Sequence, residues 1–189
     1  GQLHRCSVRQ NLGTLVSGDR VIWQAAEDGA GVVTALEARR SLLTRSGYAG
    51  RSKAVAANLD QVLVVLAPLP VPTPSLIDRY LVAIERLGVA AALVLNKADL
   101  LDAEYAAALE DLLGVYPALG YPLIHTSTHS QQGLAPLRAA LAGHTSILVG
   151  QSGVGKSSLI QALLPEQSIR TQAISAATGL GTHTTTTSM

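Results

Sequence analysis

The chain has 189 residues, of which 48% are apolar and 14% charged, so it can bury a core and is not a disordered polypeptide. Its net charge of +1 excludes a uniformly basic nucleic-acid-binding chain, and its single cysteine, Cys6, excludes a disulfide framework or a cysteine-based zinc site within it. Without a signal segment or an apolar run near the ~20 residues of a membrane-spanning helix, we expect a cytoplasmic protein without a membrane partner.

Residues 1–50 predict a small all-β domain. Turn signals such as Ser17-Gly18-Asp19 separate short extended runs, a spacing typical of an antiparallel barrel or sandwich, here an incomplete one. Residues 51–60 are predicted to be a linker. The predicted strands are residues 3–9, 12–16, 20–25 and 31–36.

Residues 61–189 predict an α/β domain, because apolar strands alternate with amphipathic helices from there on. Such alternation indicates a mostly parallel sheet with helices on both faces. Thr73 is predicted to cap the first helix and Gly114 to end the second, which should bury Leu112. The predicted strands are 62–66, 91–95, 123–125 and 146–149, and the predicted helices are 74–87, 102–113, 134–141 and 156–164.

A phosphate-binding loop is the strongest motif, because Gly150–Ser157 satisfies G-x-x-x-x-G-K-[ST] between a strand and a helix. The glycines let backbone N–H groups turn toward a phosphate, and the helix N-terminus adds partial positive charge. Lys156 can reach the β and γ phosphates, and the Ser157 hydroxyl can bind Mg²⁺. With the following serine, the predicted phosphate-binding residues are Gly150, Gln151, Ser152, Gly153, Val154, Gly155, Lys156, Ser157 and Ser158.

A guanine-binding motif, Asn96-Lys97-Ala98-Asp99, follows the second α/β strand. The Asp99 carboxylate can accept hydrogen bonds from guanine N1–H and the 2-amino group, although it could instead cap the next helix. Asn96 can contact the base or brace the loops, and the Lys97 stem can lie over the base. After the next strand, Ser127 is predicted to offer a backbone N–H to guanine O6, unless that segment is an ordinary turn.

The order of the motifs predicts a circular permutation, because the guanine motif precedes the phosphate loop. The downstream segment Gly179–Thr187 could be a switch that senses the γ-phosphate, with Thr184 and Thr185 as Mg²⁺ ligands, or a flexible polar loop. Two Asp-x-x-Gly matches, at residues 28–31 and 111–114, lie in a turn and at a helix end. The water-positioning motif is therefore expected beyond Met189, so we expect a truncated chain that hydrolyses GTP poorly.

The sequence resembles the ribosome small-subunit-dependent GTPase A family over nearly its whole length. The resemblance implies an incomplete OB-fold-like domain followed by a circularly permuted P-loop GTPase domain, and it places a C-terminal zinc-binding domain, with its Zn²⁺, outside this chain. The residues that carry it are Arg39–Arg45, Ala56–Val62, Asn96–Asp99, Gly150–Ser158 and Gly181–Thr186.

The family resemblance also implies a function: a bacterial cytoplasmic enzyme that hydrolyses GTP with Mg²⁺ in late maturation of the small ribosomal subunit, and that this subunit activates. His183 is a candidate for positioning water in place of a glutamine, or a solvated switch-loop residue. We expect a monomer. The alternatives are a non-catalytic, nucleotide-gated rRNA-binding module and another permuted ribosome-assembly GTPase. Basic residues that could contact rRNA phosphates, or form a solvated face, are Arg39, Arg40, Arg45, Arg51 and Lys53.

Overall fold

The computed structural model describes residues 4–25, 30–46 and 52–165. They fall into two compact units that divide between Leu59 and Asp60. The division lies close to the predicted one, but residues 52–57 are a strand of the first unit and not part of a linker.

The first unit contains two small sheets. In one of them the central strand β3 is parallel to β1 and antiparallel to β2, so the sheet is mixed and not purely antiparallel as expected. The other is an antiparallel pair, β4 and β5. The strands are β1 (Cys6–Val8), β2 (Val21–Ala25), β3 (Gly31–Leu36), β4 (Leu42–Ser46) and β5 (Ser52–Ala57).

The strand predicted at residues 12–16 does not form. Gln10–Leu12 is a short 3₁₀ helix, and Gly13 has a φ of 72°, outside the extended region. The Asp19 carboxylate then accepts the Val16 N–H at 2.8 Å and closes a turn. These local hydrogen bonds satisfy the backbone in place of a strand partner.

Arg39, one of the basic residues predicted to contact rRNA, forms an ion pair with a carboxylate of its own unit. Its Nε and Nη2 atoms donate to the two carboxylate oxygens of Asp19 at 2.7 and 2.8 Å. This bidentate bond is the main reason why the pKa of Asp19 is lowered. The structure thus shows an ion pair for Arg39 within its own unit, and its contact with rRNA stays a prediction.

The second unit contains a four-stranded, all-parallel sheet in the order β8-β7-β6-β9. Its strands and main helices lie within one or two residues of the predicted ranges. The strands are β6 (Gln61–Leu66), β7 (Ala90–Leu95), β8 (Leu123–His125) and β9 (Ser146–Val149), and the helices are α1 (Pro74–Leu87), α2 (Ala103–Leu113), α3 (Val115–Ala118), α4 (Leu134–Leu141) and α5 (Lys156–Leu163).

Two local predictions in this unit are wrong, and a third is confirmed. Thr73 occupies the N-cap position of α1 but makes no side-chain cap, and its hydroxyl lies 3.3 Å from the Ser75 hydroxyl instead. Gly114 ends α2 as predicted: it is the C-cap residue and its N–H donates to the Glu110 carbonyl at 2.7 Å, although it keeps right-handed helical angles and α3 follows directly. The helix buries Leu113, whereas Leu112 is only half-buried.

Both faces of the parallel sheet are covered. All six residues of β6 are buried, which explains why its sequence is continuously apolar rather than alternating. On one face, Leu63 and Val65 pack in a cluster with Leu137 of α4 and Leu159 of α5. On the other, α1 contacts β6 and β7. No helix within the described ranges is long and apolar enough to cross a membrane.

Candidate functional site

The candidate site lies at the carboxyl edge of the parallel sheet. The chain runs outward from β6 to β7 and β8, then returns past β6 to form β9. The strand order therefore reverses between β6 and β9, and open parallel sheets bind their ligands in the crevice at such a point. The segment that leaves β9 here is Gly150–Gly155, directly before α5.

Two glycines of this loop are required by the close approach of other groups. Gly150 has a φ of 143°, and a side chain there would strike the Val65 carbonyl oxygen of β6. Gly155 has a φ of 93°, and a side chain there would strike the Asn96 amide. Both positions combine a positive φ with a clash, so only glycine fits without strain.

The side chain of Lys156 folds back onto the loop that precedes it in the chain. Its ammonium donates to the carbonyl oxygens of Gly150 and Gln151, at 2.9 and 2.7 Å. Burial lowers the pKa of this lysine, because the charged form loses hydration. The loop thus keeps a cation beside its own backbone, at the N-terminus of α5.

The other predicted phosphate-loop residues differ in exposure. Val154 is 2% exposed and its side chain belongs to the apolar core, so only its backbone faces the loop. Ser157 is half-buried in the first turn of α5, and its hydroxyl makes no hydrogen bond to another described residue. Ser158 is exposed.

Asn96 joins the guanine motif to the phosphate loop. It is fully buried, and its Nδ2 donates to the Val154 carbonyl at 2.9 Å. Its Oδ1 accepts the Thr126 hydroxyl at 3.2 Å. Of the two roles predicted for Asn96, the structure shows the bracing role, and Thr126 is a partner that sequence reasoning missed. The only sequence signal for Thr126 is its position directly after β8.

Lys97 forms the second link between the same two loops. Its backbone is left-handed, with a φ of 61°, and its ammonium donates to the Gly153 carbonyl at 2.7 Å. The long stem therefore crosses from the end of β7 to the loop that follows β9. Residues other than glycine rarely adopt a left-handed backbone conformation, so contacts with the surrounding residues must stabilise the turn after β7.

Asp99 is exposed and lies in a short 3₁₀ helix, Ala98–Leu100. A hydrogen bond from Ser127 is the main cause of its lowered pKa, with smaller contributions from the nearby His129 and Lys97. It does not cap α2, because Asp102 does so by accepting the Tyr105 N–H at 2.8 Å. Of the two roles predicted for Asp99, the structure therefore excludes the helix cap.

Ser127 supports this carboxylate but cannot act through its own amide as predicted. Its N–H donates to the Gln132 carbonyl at 2.9 Å, so that donor is taken. Its buried hydroxyl oxygen also accepts the amides of His129 and Ser130. The next amide, that of Thr128, makes no hydrogen bond to any other described residue, and it replaces Ser127 as the candidate donor to a base.

The remaining predicted site residues lie outside the described ranges. These are His183, Thr184 and Thr185, and the basic residue Arg51 is outside them as well. Within the ranges that are described, no group of three or more His, Cys, Asp or Glu residues could hold a metal ion. The Ser157 hydroxyl is the described Mg²⁺ candidate.

Replacing Asn96 by alanine is expected to lower the free energy of unfolding by about 1–3 kcal/mol, because the Val154 carbonyl loses a buried donor. Urea unfolding at pH 7 measures this change. Asn11→Ala is the matched control, since Asn11 is exposed. Equal stability of the two variants would contradict a bracing role for Asn96.

The family described as RsgA GTPase matches residues 36–189. The chain is 54% identical over 187 residues to a protein of Azotobacter vinelandii named small ribosomal subunit biogenesis GTPase RsgA, with 99% of this chain and 54% of that protein covered. A protein of the same name from Ectopseudomonas mendocina is 53% identical over the same shares of both chains. The chain thus spans about half the length of these curated relatives.

Solved structures show the same architecture. YjeQ from Thermotoga maritima superposes with a TM-score of 0.74 at 35% identity, covering 88% of this chain and 59% of that chain. YloQ, described as a circularly permuted GTPase, superposes with a TM-score of 0.68 at 26% identity, covering 85% of this chain and 55% of that chain. These similarities agree with the strand order and with the order of the motifs along the sequence.

Proposed function

This chain belongs to the RsgA GTPase family, and from that membership we propose that it binds GTP and GDP, hydrolyses GTP, and acts in late maturation of the small ribosomal subunit. The proposal includes activation by that subunit, as the sequence resemblance implies. The curated relatives carry the name of a small ribosomal subunit biogenesis GTPase, and this chain is proposed to share the role that the name states. The proposal also includes a cytoplasmic location and a monomeric state.

The hydrogen bond from Asn96 to the Val154 carbonyl carries the nucleotide proposal. This bond brings together two residues that are 58 positions apart, at one edge of the sheet. They belong to the guanine motif and the phosphate loop, which follow each other here in the permuted order. The β and γ phosphates would then lie at the α5 N-terminus with Lys156, and the base would lie by Asp99. The Thr128 amide is proposed to bond guanine O6, and the Ser127 hydroxyl to orient Asp99.

Mg²⁺ is the proposed cofactor, and Ser157 the described residue that would hold it. A half-buried hydroxyl without a partner among the described residues suits a cation that prefers oxygen ligands. When bound, Mg²⁺ would neutralise part of the phosphate charge, and the Ser157 hydroxyl would help to hold it beside α5. Thr184 and Thr185 remain proposed ligands, and His183 remains the proposed water-positioning residue.

Guanine selectivity tests the nucleotide part of the proposal. We expect GTP and GDP to displace a fluorescent GDP analogue from the chain, and ATP to fail at the same concentrations, because adenine lacks the two donors that Asp99 would accept. EDTA should weaken GTP binding if Ser157 holds Mg²⁺. Equal affinities for ATP and GTP would disprove the base assignment.

A charge difference between the two units supports an RNA partner. Residues 1–59 contain eight Arg or Lys and four Asp or Glu, a net charge of +4, whereas residues 60–189 contain six and nine, a net charge of −3. On the β4–β5 pair, Arg45 and Lys53 are exposed and lie directly opposite each other. Like charges in this register repel, and a bound phosphate would offset the repulsion.

Co-sedimentation tests the ribosomal part. The chain, with a non-hydrolysable GTP analogue, should pellet with small ribosomal subunits and not with large subunits, and the double variant Arg45→Glu/Lys53→Glu should bind less. Equal binding to both subunits would contradict a role specific to the small one.

Hydrolysis is tested by single turnover of the full-length protein, which small subunits should accelerate. If they do not accelerate it, the alternative of a nucleotide-gated binding module is favoured.

A further inference from the structure

An aromatic cluster lies on the first unit, away from the nucleotide loops in the sequence. The indole of Trp23, on β2, lies over Gly31 of β3, where any side chain would strike Trp23 and the Cys6 sulfur. The imidazole of His4 packs against the same indole, with ring centroids 4.6 Å apart and an interplanar angle of 35°. Because Gly31 has no side chain, there is space above it for the tryptophan ring.

The indole keeps part of its surface exposed. Trp23 is 38% exposed, although Val33, its cross-strand partner, is 4% exposed. The ring thus covers the sheet with part of its surface and presents the rest to solvent, beside the exposed His4. A tryptophan that served only to cover the sheet would gain more by burying the whole ring.

We propose that Trp23, with His4 beside it, is a stacking platform for an unpaired nucleobase of single-stranded RNA. Aromatic side chains bind bases of any sequence through their π faces, usually next to positive charge that attracts the backbone. Here Arg5 and Arg20 are exposed next to His4 and β2 in the chain, within a unit of net charge +4. The inference rests on the proposed RNA partner of this unit and assigns the group that contacts a base.

The protein provides its own probe, because Trp23 is its only tryptophan. A ten-residue oligouridylate should quench the fluorescence of the GDP-saturated chain, since a stacked base contacts the indole directly. Uridine offers no guanine to the nucleotide site, which GDP occupies in any case. A ten-base-pair RNA duplex is the control: it supplies about twice the backbone charge of the single strand with no unpaired base, and it should not quench.

Affinity variants separate stacking from charge. By fluorescence anisotropy of the labelled oligouridylate, Trp23→Ala should bind about 5- to 150-fold more weakly, and Trp23→Phe should stay close to the original chain. Ile22→Ala, at the exposed neighbouring residue, is the control and should bind normally. An unchanged far-ultraviolet circular dichroism spectrum and urea midpoint in every variant show that the first unit is folded, and unchanged GDP affinity shows the same for the second unit.

The outcomes distinguish the stacking platform from the proposed RNA partner on which it rests. Quenching by the single strand together with weaker binding of Trp23→Ala supports the stacking platform. Oligouridylate that binds equally well to Trp23→Ala, without quenching, overturns the platform and leaves the RNA partner in place. No binding of either RNA at low salt overturns the platform and the RNA affinity of this unit together.

Discussion

Lys156→Ala is expected to weaken GDP and GTP binding by about 10- to 150-fold, because a charge-assisted contact to phosphate is worth roughly 1.5–3 kcal/mol. The fold should persist. Burial lowers the pKa of this lysine, so its charged form is disfavoured in the folded chain, and removing the charge relieves that cost. The two carbonyls that it contacts belong to the loop backbone. Isothermal titration calorimetry measures the affinity, and urea unfolding measures the stability.

Two further variants separate charge from geometry at this position. Lys53→Ala removes the same charge from an exposed strand residue of the first unit and should leave nucleotide affinity unchanged. Lys156→Arg keeps the charge in a planar, bulkier group and should still bind poorly, because the loop carbonyls of Gly150 and Gln151 enclose a compact ammonium. Full affinity in Lys156→Ala would show that the phosphates bind elsewhere.

The parallel sheet was predictable because its strands are buried on both faces. A continuous apolar run such as that of β6 cannot suit a strand with a solvated face, and Pro74 and Gly88 mark the ends of α1 by their own backbone preferences. The first unit was less predictable. Residues 12–16 look extended in sequence, but the Asp19 carboxylate organises them into a turn, and nothing in the local pattern distinguishes the two outcomes.

The candidate site was predictable in its residue types but less so in its hydrogen bonds. The spacing of Gly150, Lys156 and Ser157 identifies the loop, whereas only the folded chain shows that Asn96 is used as a brace. The Ser127 amide was assigned to a base because it follows β8, but Gln132 takes that donor from a position five residues later. Such pairings depend on loop conformation, which has no periodic signal in the sequence.

The hydrogen bonds between the guanine motif and the phosphate loop have a consequence for nucleotide binding. Asn96 and Lys97 both contact carbonyl oxygens of the phosphate loop, at Val154 and Gly153. A shift of those two peptides on phosphate binding would act on Asn96 and Lys97, which lie three and two residues before Asp99. The base and phosphate contacts should accordingly strengthen each other, and Asn96→Ala should weaken binding of GDP more than binding of guanosine, which has no phosphate.

The sharpest test of base recognition is Asp99→Asn, which should weaken GTP binding by about 10- to 150-fold and raise the relative affinity for XTP. The carboxylate accepts two guanine donors in the proposed site, and its loss leaves one of them unmet at a cost of roughly 1.5–3 kcal/mol. Xanthine carries an oxygen where guanine has the 2-amino group, and the asparagine amide can donate to it. Competition between GTP, XTP and ATP for a labelled GDP measures the change.

Because the Ser127 hydroxyl lies near Asp99, the variant Ser127→Ala tests a milder change than Asp99→Asn. Hydrogen bonding with Ser127 is the main reason why the pKa of the Asp99 carboxyl is lowered, so Ser127→Ala should raise that pKa toward its ordinary value. The carboxylate would stay ionised at neutral pH but lose its fixed orientation. We therefore expect a smaller loss of GTP affinity than in Asp99→Asn and no gain for XTP. A preference for XTP in Ser127→Ala, or unchanged selectivity in Asp99→Asn, would mean that another group reads the base.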